Sequence, residues 1–372
     1  MAGEAWPPVG AGESLPPICV VGPLPPPSGG MANQCEQLVR LWREEGIRVE
    51  LVRTNTPYRP AWVAGLPVLR AAFRLLPYVV RLWQAAGRAG VMHVLANSGW
   101  SWHLLTVPAM LVARLRGTPV IINYRGGNAD SFFSRAPRHV HSLLAWAALR
   151  VTPSEFLRRV FSHHGLTAEV IPNIIDLSRF APAPPRSFGD APHVVVTRNL
   201  EPIYDISTAI RAFARIVPFF RRARLTVAGS GPELSHLQGV VAELGLQDSV
   251  RFPGRIDNAD IPALYRSADC LLNPSTVDNM PISILEAFAS GVPVVSTSAG
   301  GIPDLVEHAV CGLLVSIGDH EAMTRELLCV LQDPALAADL RQAGLIQAQR
   351  YAWPRVRTQW LEAYRRALRR ES

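Results

Sequence analysis

The segment STVDNMPISILEAFASGVPVV, residues 275–295, decides the reading of this chain. Pro281 marks the start of a helix, because a first-turn residue needs no amide donor and the proline ring presets φ. An apolar helical run follows, and VPVVST then reads as a buried strand. Asp278 and Glu286 stand eight positions apart across that helix start. Asp278 as a solvated loop acid and Glu286 as a surface charge is one reading. A ligand held between them is the other.

Outward from this segment the same alternation repeats. In the second half HVVVTR, ARLTVAG, DSVRFPG, ADCLLNP, VPVVST and GLLVS read as strands, with helices over 205–217, 231–244 and near Pro303, and a helical tail from about Pro334. In the first half PPICVVGPL, IRVELV, VMHVLA, TPVIINY and LRVTPS are strands. The helical patterns between them are MANQCEQLVRLWREEG, two stretches between Ala61 and Arg88, one ending at Arg116, and HVHSLLAWAA. Continuous apolar strands alternating with helices predict parallel sheets buried on both faces. The Pro- and Ala-rich stretch FAPAPPRSFGDAP, residues 180–192, reads as a linker. The fold class is therefore α/β, with two doubly wound Rossmann-like domains facing across a cleft.

Composition narrows the chemistry. The chain has 372 residues, 48% hydrophobic and 18% charged, which suits two ordinary domains with sizeable cores. Five scattered cysteines form no CxxC pair, so neither a disulfide framework nor a zinc ribbon is indicated, and a reducing cytoplasm fits. The opening MAGEAWPPVGAGESLPP lacks an apolar core and is not a signal peptide; residues 1–16 read as a disordered lead-in. The window over residues 94–113 has no Asp, Glu or Arg, but Asn97, Ser98, Gly99, His103 and Pro108 make it a poor spanning helix. All 37 cationic side chains are Arg, and residues 51–129 hold nine of them and no acid. That window predicts a first half that faces something anionic.

Metal and dinucleotide chemistry find little support. There is no H-E-x-x-H and no D-x-D; His163 and His164 are neighbours that cannot share a helical face; and His139 with His141 reads as a surface or core pair. GPLPPPSGG has no dinucleotide fingerprint, and GSGPEL, residues 229–234, carries Leu234 where the third glycine belongs. Anion-binding signals do recur at strand ends. Gly29 and Gly30 precede a helix, Gly300 and Gly301 precede Pro303, Pro281 opens the helix above, and Arg198 follows the strand HVVVT.

With these residues in place, VDNMPISILEAFASGVPVVSTSAGGIPDLV resembles the donor-binding signature of family 4 retaining glycosyltransferases of the GT-B fold. VIPNIIDLSRF, LTVAGSGPEL, VRFPGRID, ADCLLNPS and YAWPRVRTQWLEAYRRAL extend the resemblance over nearly the whole chain. It implies an acceptor domain over 17–182, joined by a C-terminal helix over 353–372, and a nucleotide-sugar domain over 183–352. By the same resemblance Glu286 holds the ribose and Asp278 the sugar hydroxyls. Backbone amides near Met280 and Ile282 face the diphosphate, and Asn279, Pro281, Gly29 and Gly30 complete the implied donor-binding set. Arg198 binds phosphate, and Ile256 and Asp257 lie against the base. No cofactor and no metal are expected, and in the family's proposed mechanism the leaving diphosphate itself deprotonates the acceptor, so no protein nucleophile is required.

Three departures stand out. Asp278 is an Asp where many relatives have Glu. RNLEPIYD has no lysine after Arg198, and VIINYRGG places Arg125 where the family's first-domain histidine belongs. A leaving diphosphate needs fixed positive charge, so Arg125 is expected to replace the lysine, with Arg125, Arg198 and Asp278 as the catalytic group. The expected reaction moves a hexose-type sugar from a nucleotide sugar to a glycan or lipid-linked saccharide in bacterial cell-surface polysaccharide synthesis. A nucleotide-sugar epimerase of the same fold, or a non-catalytic sugar-nucleotide-binding subunit, are the alternatives. Residues 59–88 mix Arg70, Arg74, Arg81 and Arg88 with Trp62, Phe73, Tyr78 and Trp83. This predicts a cytoplasmic protein with peripheral contact to anionic lipid at the inner face of the plasma membrane. No nucleic-acid module is evident.

Overall fold

The computed structural model describes residues 15–26, 29–56, 67–136, 138–184, 189 and 191–369. The lead-in expected over 1–16 lies outside them save its last two residues, as do Trp62 and most of 185–190. Two compact units result, residues 1–174 with 353–372, and Ile175–Ala352.

The first unit runs β1 (Ile18–Gly22), α1 (Gly30–Glu44), β2 (Val49–Arg53), α2 (Pro67–Ala86), β3 (Val91–Ala96), α3 (Val107–Arg116), β4 (Val120–Tyr124), α4 (Ala129–Arg135), α5 (Arg138–Trp146), β5 (Leu149–Thr152), α6 (Glu155–His163) and β6 (Glu169–Val170). All pairings are parallel, in the order β2-β1-β3-β4-β5-β6. Every residue of β1, β3 and β4 is buried, which is why these strands read as unbroken apolar runs rather than alternating ones.

The second unit runs β7 (His193–Thr197), α7 (Ile206–Ala214), β8 (Arg224–Ala228), α8 (Leu234–Glu243), β9 (Val250–Gly254), α9 (Ile261–Ser267), β10 (Cys270–Asn273), α10 (Ile282–Ala289), β11 (Val294–Thr297), α11 (Ile302–Leu305), β12 (Leu313–Val315), α12 (His320–Gln332) and α13 (Pro334–Gln349). Its parallel order is β12-β11-β10-β7-β8-β9. The chain leaves β7 toward β8 on one side, while β10 lies on the other with Leu271 in register with Val195. The strand order thus reverses between β10 and β7, the kind of switch point at whose strand carboxyl ends open α/β sheets bind ligands.

Helix α14 (Trp353–Arg369) returns to the first unit. Its Trp360 and Tyr364 are fully buried with Trp42 of α1. His93 of β3 bonds Tyr364 Oη at 2.7 Å and Asn123 at 3.0 Å. Desolvation pushes the His93 imidazole down to about 3, so it stays neutral. Glu45, the C-cap of α1, accepts from Arg357 at 2.7 and 2.9 Å and from Trp353 at 3.0 Å.

Four expectations change. The units meet at Ile174–Ile175 rather than at 182–183. Gln34 bonds both the amide and the carbonyl of Ile174 at 2.8 Å, while Ile175 N–H donates to Tyr351 O at 3.0 Å. Neighbouring residues are thus claimed by different cores, and the proline-rich stretch lies inside the second unit. Within 67–86, α2 is one helix that carries Pro77 in its interior. The helical tail breaks at 350–352 into α13 and α14. Helices α4, α6, α9 and α12 and strand β6 are not among the elements read from the sequence.

Candidate functional site

Arg198 directly follows β7. Its backbone path is set from below by glycines. A Cβ at Gly229 would stand 1.9 Å from the Arg198 carbonyl oxygen, and one at Gly231 2.2 Å from that of Leu200. Leu200 N–H donates to Ser230 O and Glu233 N–H to Leu200 O, each at 3.0 Å. GSGPEL is thus a seam on which the Arg198 loop lies, and its glycines are required for that close approach.

The loop after β10 is pinned as firmly. Ser275 Oγ donates to Asn273 Oδ1 at 3.0 Å, and Thr297 Oγ1 to Ser275 O at 2.5 Å. Gly300 has φ +53, and a Cβ there would meet the Asp278 carbonyl at 2.1 Å. Gly301 N–H donates to that same carbonyl at 2.9 Å. Only glycine at 300 lets the β11 turn support Asp278 this closely.

β7 and β10 are adjacent, so the two loops bring Arg198 and Asp278 together in a direct ion pair. Their side chains are 11% and 12% exposed, and the guanidinium carbon sits 4.0 Å from the centroid of the Tyr204 ring. The family resemblance implies separate tasks for these two residues, one at phosphate and one at sugar; in the structure each is the other's partner. Opposite charges this far out of water need a counter-charge. Arg198 Nε remains buried without a hydrogen-bond partner.

Glu286 lies one turn into α10. It accepts from Tyr265 Oη at 3.0 Å, and that hydroxyl also bonds Thr197 Oγ1 at 2.6 Å. Burial raises the Glu286 carboxyl to about 7, against the opposing pull of Tyr265, Arg179 and Arg198. Pro281 is the N-cap of α10, and no side chain caps this end. Asn279 and Met280 are buried just before it, and Ile282 is half-buried at its first position. Ser283 Oγ, in the first turn, is buried with no partner. An uncapped helix N-terminus with unpaired donors favours an anion.

Ile256 is half-buried and Asp257 exposed beyond β9, where the Asp257 carbonyl accepts from Asp260 and Ile261 N–H at 2.9 and 3.1 Å and shapes the start of α9. Arg179 donates to Asn258 O of this loop and is the second cation acting on Glu286. Tyr265, Ser283 and Arg179 escaped the sequence reading. Tyr265 looks like a core aromatic, Ser283 has no motif of its own, and Arg179 lies in a segment read as the approach to a linker.

In the first unit Gly29 is the extended N-cap of α1, and a Cβ there would meet nothing within 4 Å. Arg125 follows β4, donates from Nη1 to Asn173 Oδ1 at 2.6 Å, and is lowered to about 10 by desolvation, so it stays charged at neutral pH.

Comparisons with known proteins agree with this architecture. The family model described as Glycosyltransferase Family 4 matches residues 28–179, and that of Glycosyl transferases group 1 matches 179–346. A D-inositol 3-phosphate glycosyltransferase of Saccharomonospora viridis is 32% identical over 52% of this chain and 49% of its own. The 2-deoxystreptamine glucosyltransferase of Streptomyces kanamyceticus is 28% identical over 84% of this chain and 92% of its own. The chain spans about half the length, or less, of the first curated relatives it matches. Among solved structures, HepE of Anabaena superposes with a TM-score of 0.71 at 20% identity, over 93% of this chain and 98% of that one. The sucrose-phosphate synthase of Thermosynechococcus elongatus also gives 0.71 at 20% identity, over 94% and 98%.

Proposed function

Because the chain belongs to the family 4 glycosyltransferases of the GT-B fold, we propose that it is a retaining, metal-independent transferase. It moves a hexose-type sugar from a nucleotide sugar to a glycan or lipid-linked saccharide in bacterial cell-surface polysaccharide synthesis. One observation carries this reading. At the β7/β10 switch point two buried donors, Arg198 Nε and Ser283 Oγ, have no partner beside an uncapped helix N-terminus. Each unpaired buried donor costs about 1–3 kcal/mol, which a diphosphate recovers.

The roles proposed here are those the family resemblance implies, and the geometry is compatible with them. A guanidinium presents five N–H donors in a fixed fork, so Arg198 keeps Asp278 while offering Nε to a phosphate. Asp278, held by Gly300 and Gly301, accepts from sugar hydroxyls on its free oxygen. Glu286, oriented by Tyr265, accepts from the ribose diol, and Ile256 and Asp257 border the base. As the sugar–phosphate bond breaks, negative charge grows on the leaving diphosphate. Fixed arginine and amide dipoles stabilise that charge without reorganising. Arg125 stands where the family's first-domain histidine belongs, and we propose it, on that sequence position alone, as a further cation for this charge. HepE has been solved with UDP and glucose and with UDP-glucose, which puts uridine nucleotides first in the screen.

The test is a thermal-shift panel of nucleoside diphosphates and nucleotide sugars, followed by donor turnover with and without glycan acceptors. A ligand that binds only the folded chain stabilises it by about 2.7 kcal/mol at one hundred times its Kd. No shift with any nucleotide would end the proposal. A non-catalytic sugar-nucleotide-binding role is favoured by the missing lysine in RNLEPIYD. It predicts the same shift with neither slow donor hydrolysis nor transfer.

The acceptor is proposed to come from a membrane surface. Helix α2 exposes Phe73, Leu76, Val80 and Trp83, and α3 adds Leu111 and Leu115. Arg116 lies over the Trp83 ring at 5.0 Å and Arg114 over Trp146 at 4.2 Å. Tyr78 does not share this surface; it is buried and donates to Leu105 O at 2.8 Å. Arg74 turns back to Thr54 O at 2.7 Å. Among the described residues no helix is long and apolar enough to cross a membrane.

A further inference from the structure

We propose that Asp130, His163 and His164 form a site for one divalent transition-metal ion of the zinc class, clamping the start of α4 to the end of α6. The site lies within the first unit and is separate from the donor chemistry. Adjacent histidines inside a helix diverge, which is why the sequence spoke against this pair. His163, however, is the last residue of α6, and His164 is its C-cap with φ −94 and ψ 17, already off the helix. The two rings therefore converge, with centroids 5.3 Å apart. Asp130 stands in the first turn of α4 and meets both. Its Oδ1 is 2.9 Å from His164 Nε2 and 3.7 Å from His163 Nδ1, and the three ligand atoms lie within 4.8 Å of one another.

These spacings suit a small ion. Ligands at about 2.0–2.1 Å in a tetrahedron lie about 3.3–3.4 Å apart, so the three groups need to shift by only fractions of an ångström to about one ångström. His164 is preorganised: its side chain is 13% exposed and its ring packs 5.6 Å from that of buried Phe133. His163 and Asp130 are 79% and 63% exposed, which gives the ion an entry path and leaves room for water as the remaining ligand. Two imidazole nitrogens with one carboxylate oxygen favour zinc, nickel or copper over magnesium or calcium. Without an ion the same three groups still make sense as a charge pair between helix ends, because an acid at an N-terminus and histidines at a C-terminus each suit the local dipole. That account predicts no metal uptake, so the two are separable. α4 begins four residues after Arg125, and a bound ion would fix that loop against α6.

The test uses the full chain, free of any affinity tag and stripped with EDTA, titrated with Zn²⁺ in competition with a chromophoric chelator. The expected result is close to one ion per chain, weakened at least about tenfold by both His163→Ala and Asp130→Asn. His236→Ala, on α8, should leave it unchanged. His163 is exposed, so its variant tests binding without disturbing the fold, and circular dichroism of each variant checks this. Cu²⁺ bound in the same place should show nitrogen hyperfine structure from two imidazoles. Absence of saturable Zn²⁺ uptake, or uptake weakened less than tenfold by either substitution, overturns the proposal.

Discussion

At the scale of single residues, Glu286 carries the sharpest prediction. Its carboxyl is raised by burial from the ordinary value to about 7. The folded chain therefore holds a proton that the unfolded chain releases between about pH 4.5 and 7. Its contribution to stability is full below that window and is lost as pH rises through it. A carboxylate that accepts from a ribose diol must be ionised, so nucleotide affinity should rise over the same interval and binding near pH 6.5 should release protons. Calorimetry in buffers of different ionisation enthalpy reads that release, and Glu286→Gln should abolish it. Arg125→Ala should lower kcat by at least about tenfold, about 1.4 kcal/mol. A turnover within twofold of the parent would reduce Arg125 to an anchor for Asn173. The places of Asp278, Glu286 and Arg198 in the fold could be read from the sequence, because each sits just beyond a strand's carboxyl end or on the helix that follows. The Arg198–Asp278 pair was not. It joins residues 80 positions apart, and only the strand order, with β10 beside β7, reveals that they meet.

At the scale of elements, the α/β alternation was readable because strands buried on both faces leave continuous apolar runs. Boundaries were less readable where composition misled. FAPAPPRSFGDAP looks like a hinge, yet the change of core occurs between two isoleucines that no composition marks. Helix α2 shows the same limit: its apolar stripe was plain, but not which aromatic it would spend inward, and Tyr78 is the one that turned in. The face left outside should bind anionic vesicles. Replacing Leu76 and Trp83 by Glu should cut recovery in flotation with anionic liposomes by at least about fivefold, since both apolar area and charge attraction are lost. Unchanged recovery would place membrane contact elsewhere or nowhere.

At the scale of the whole molecule, the two units differ in how they are threaded. The second is continuous, Ile175–Ala352, whereas the first is closed only by α14. A fragment spanning 175–352 should fold alone and keep nucleotide binding within about tenfold of the full chain, measured by calorimetry. A fragment spanning 1–174 should not fold to a cooperative unit. It leaves Trp42 and neutral, buried His93 without Trp360 and Tyr364, and losing a buried Trp side chain alone costs about 3–5 kcal/mol. Cooperative thermal unfolding of 1–174 would contradict this.

The return of α14 also sets an order of events during synthesis. A ribosome delivers the first unit's sheet early, at about 5–20 residues per second, but its last covering helix only after the second unit has been made. The half of the chain that is translated later is therefore the half that can mature first. Throughout that interval the nascent first unit shows an uncovered aromatic face, which is where a chaperone would be expected to act.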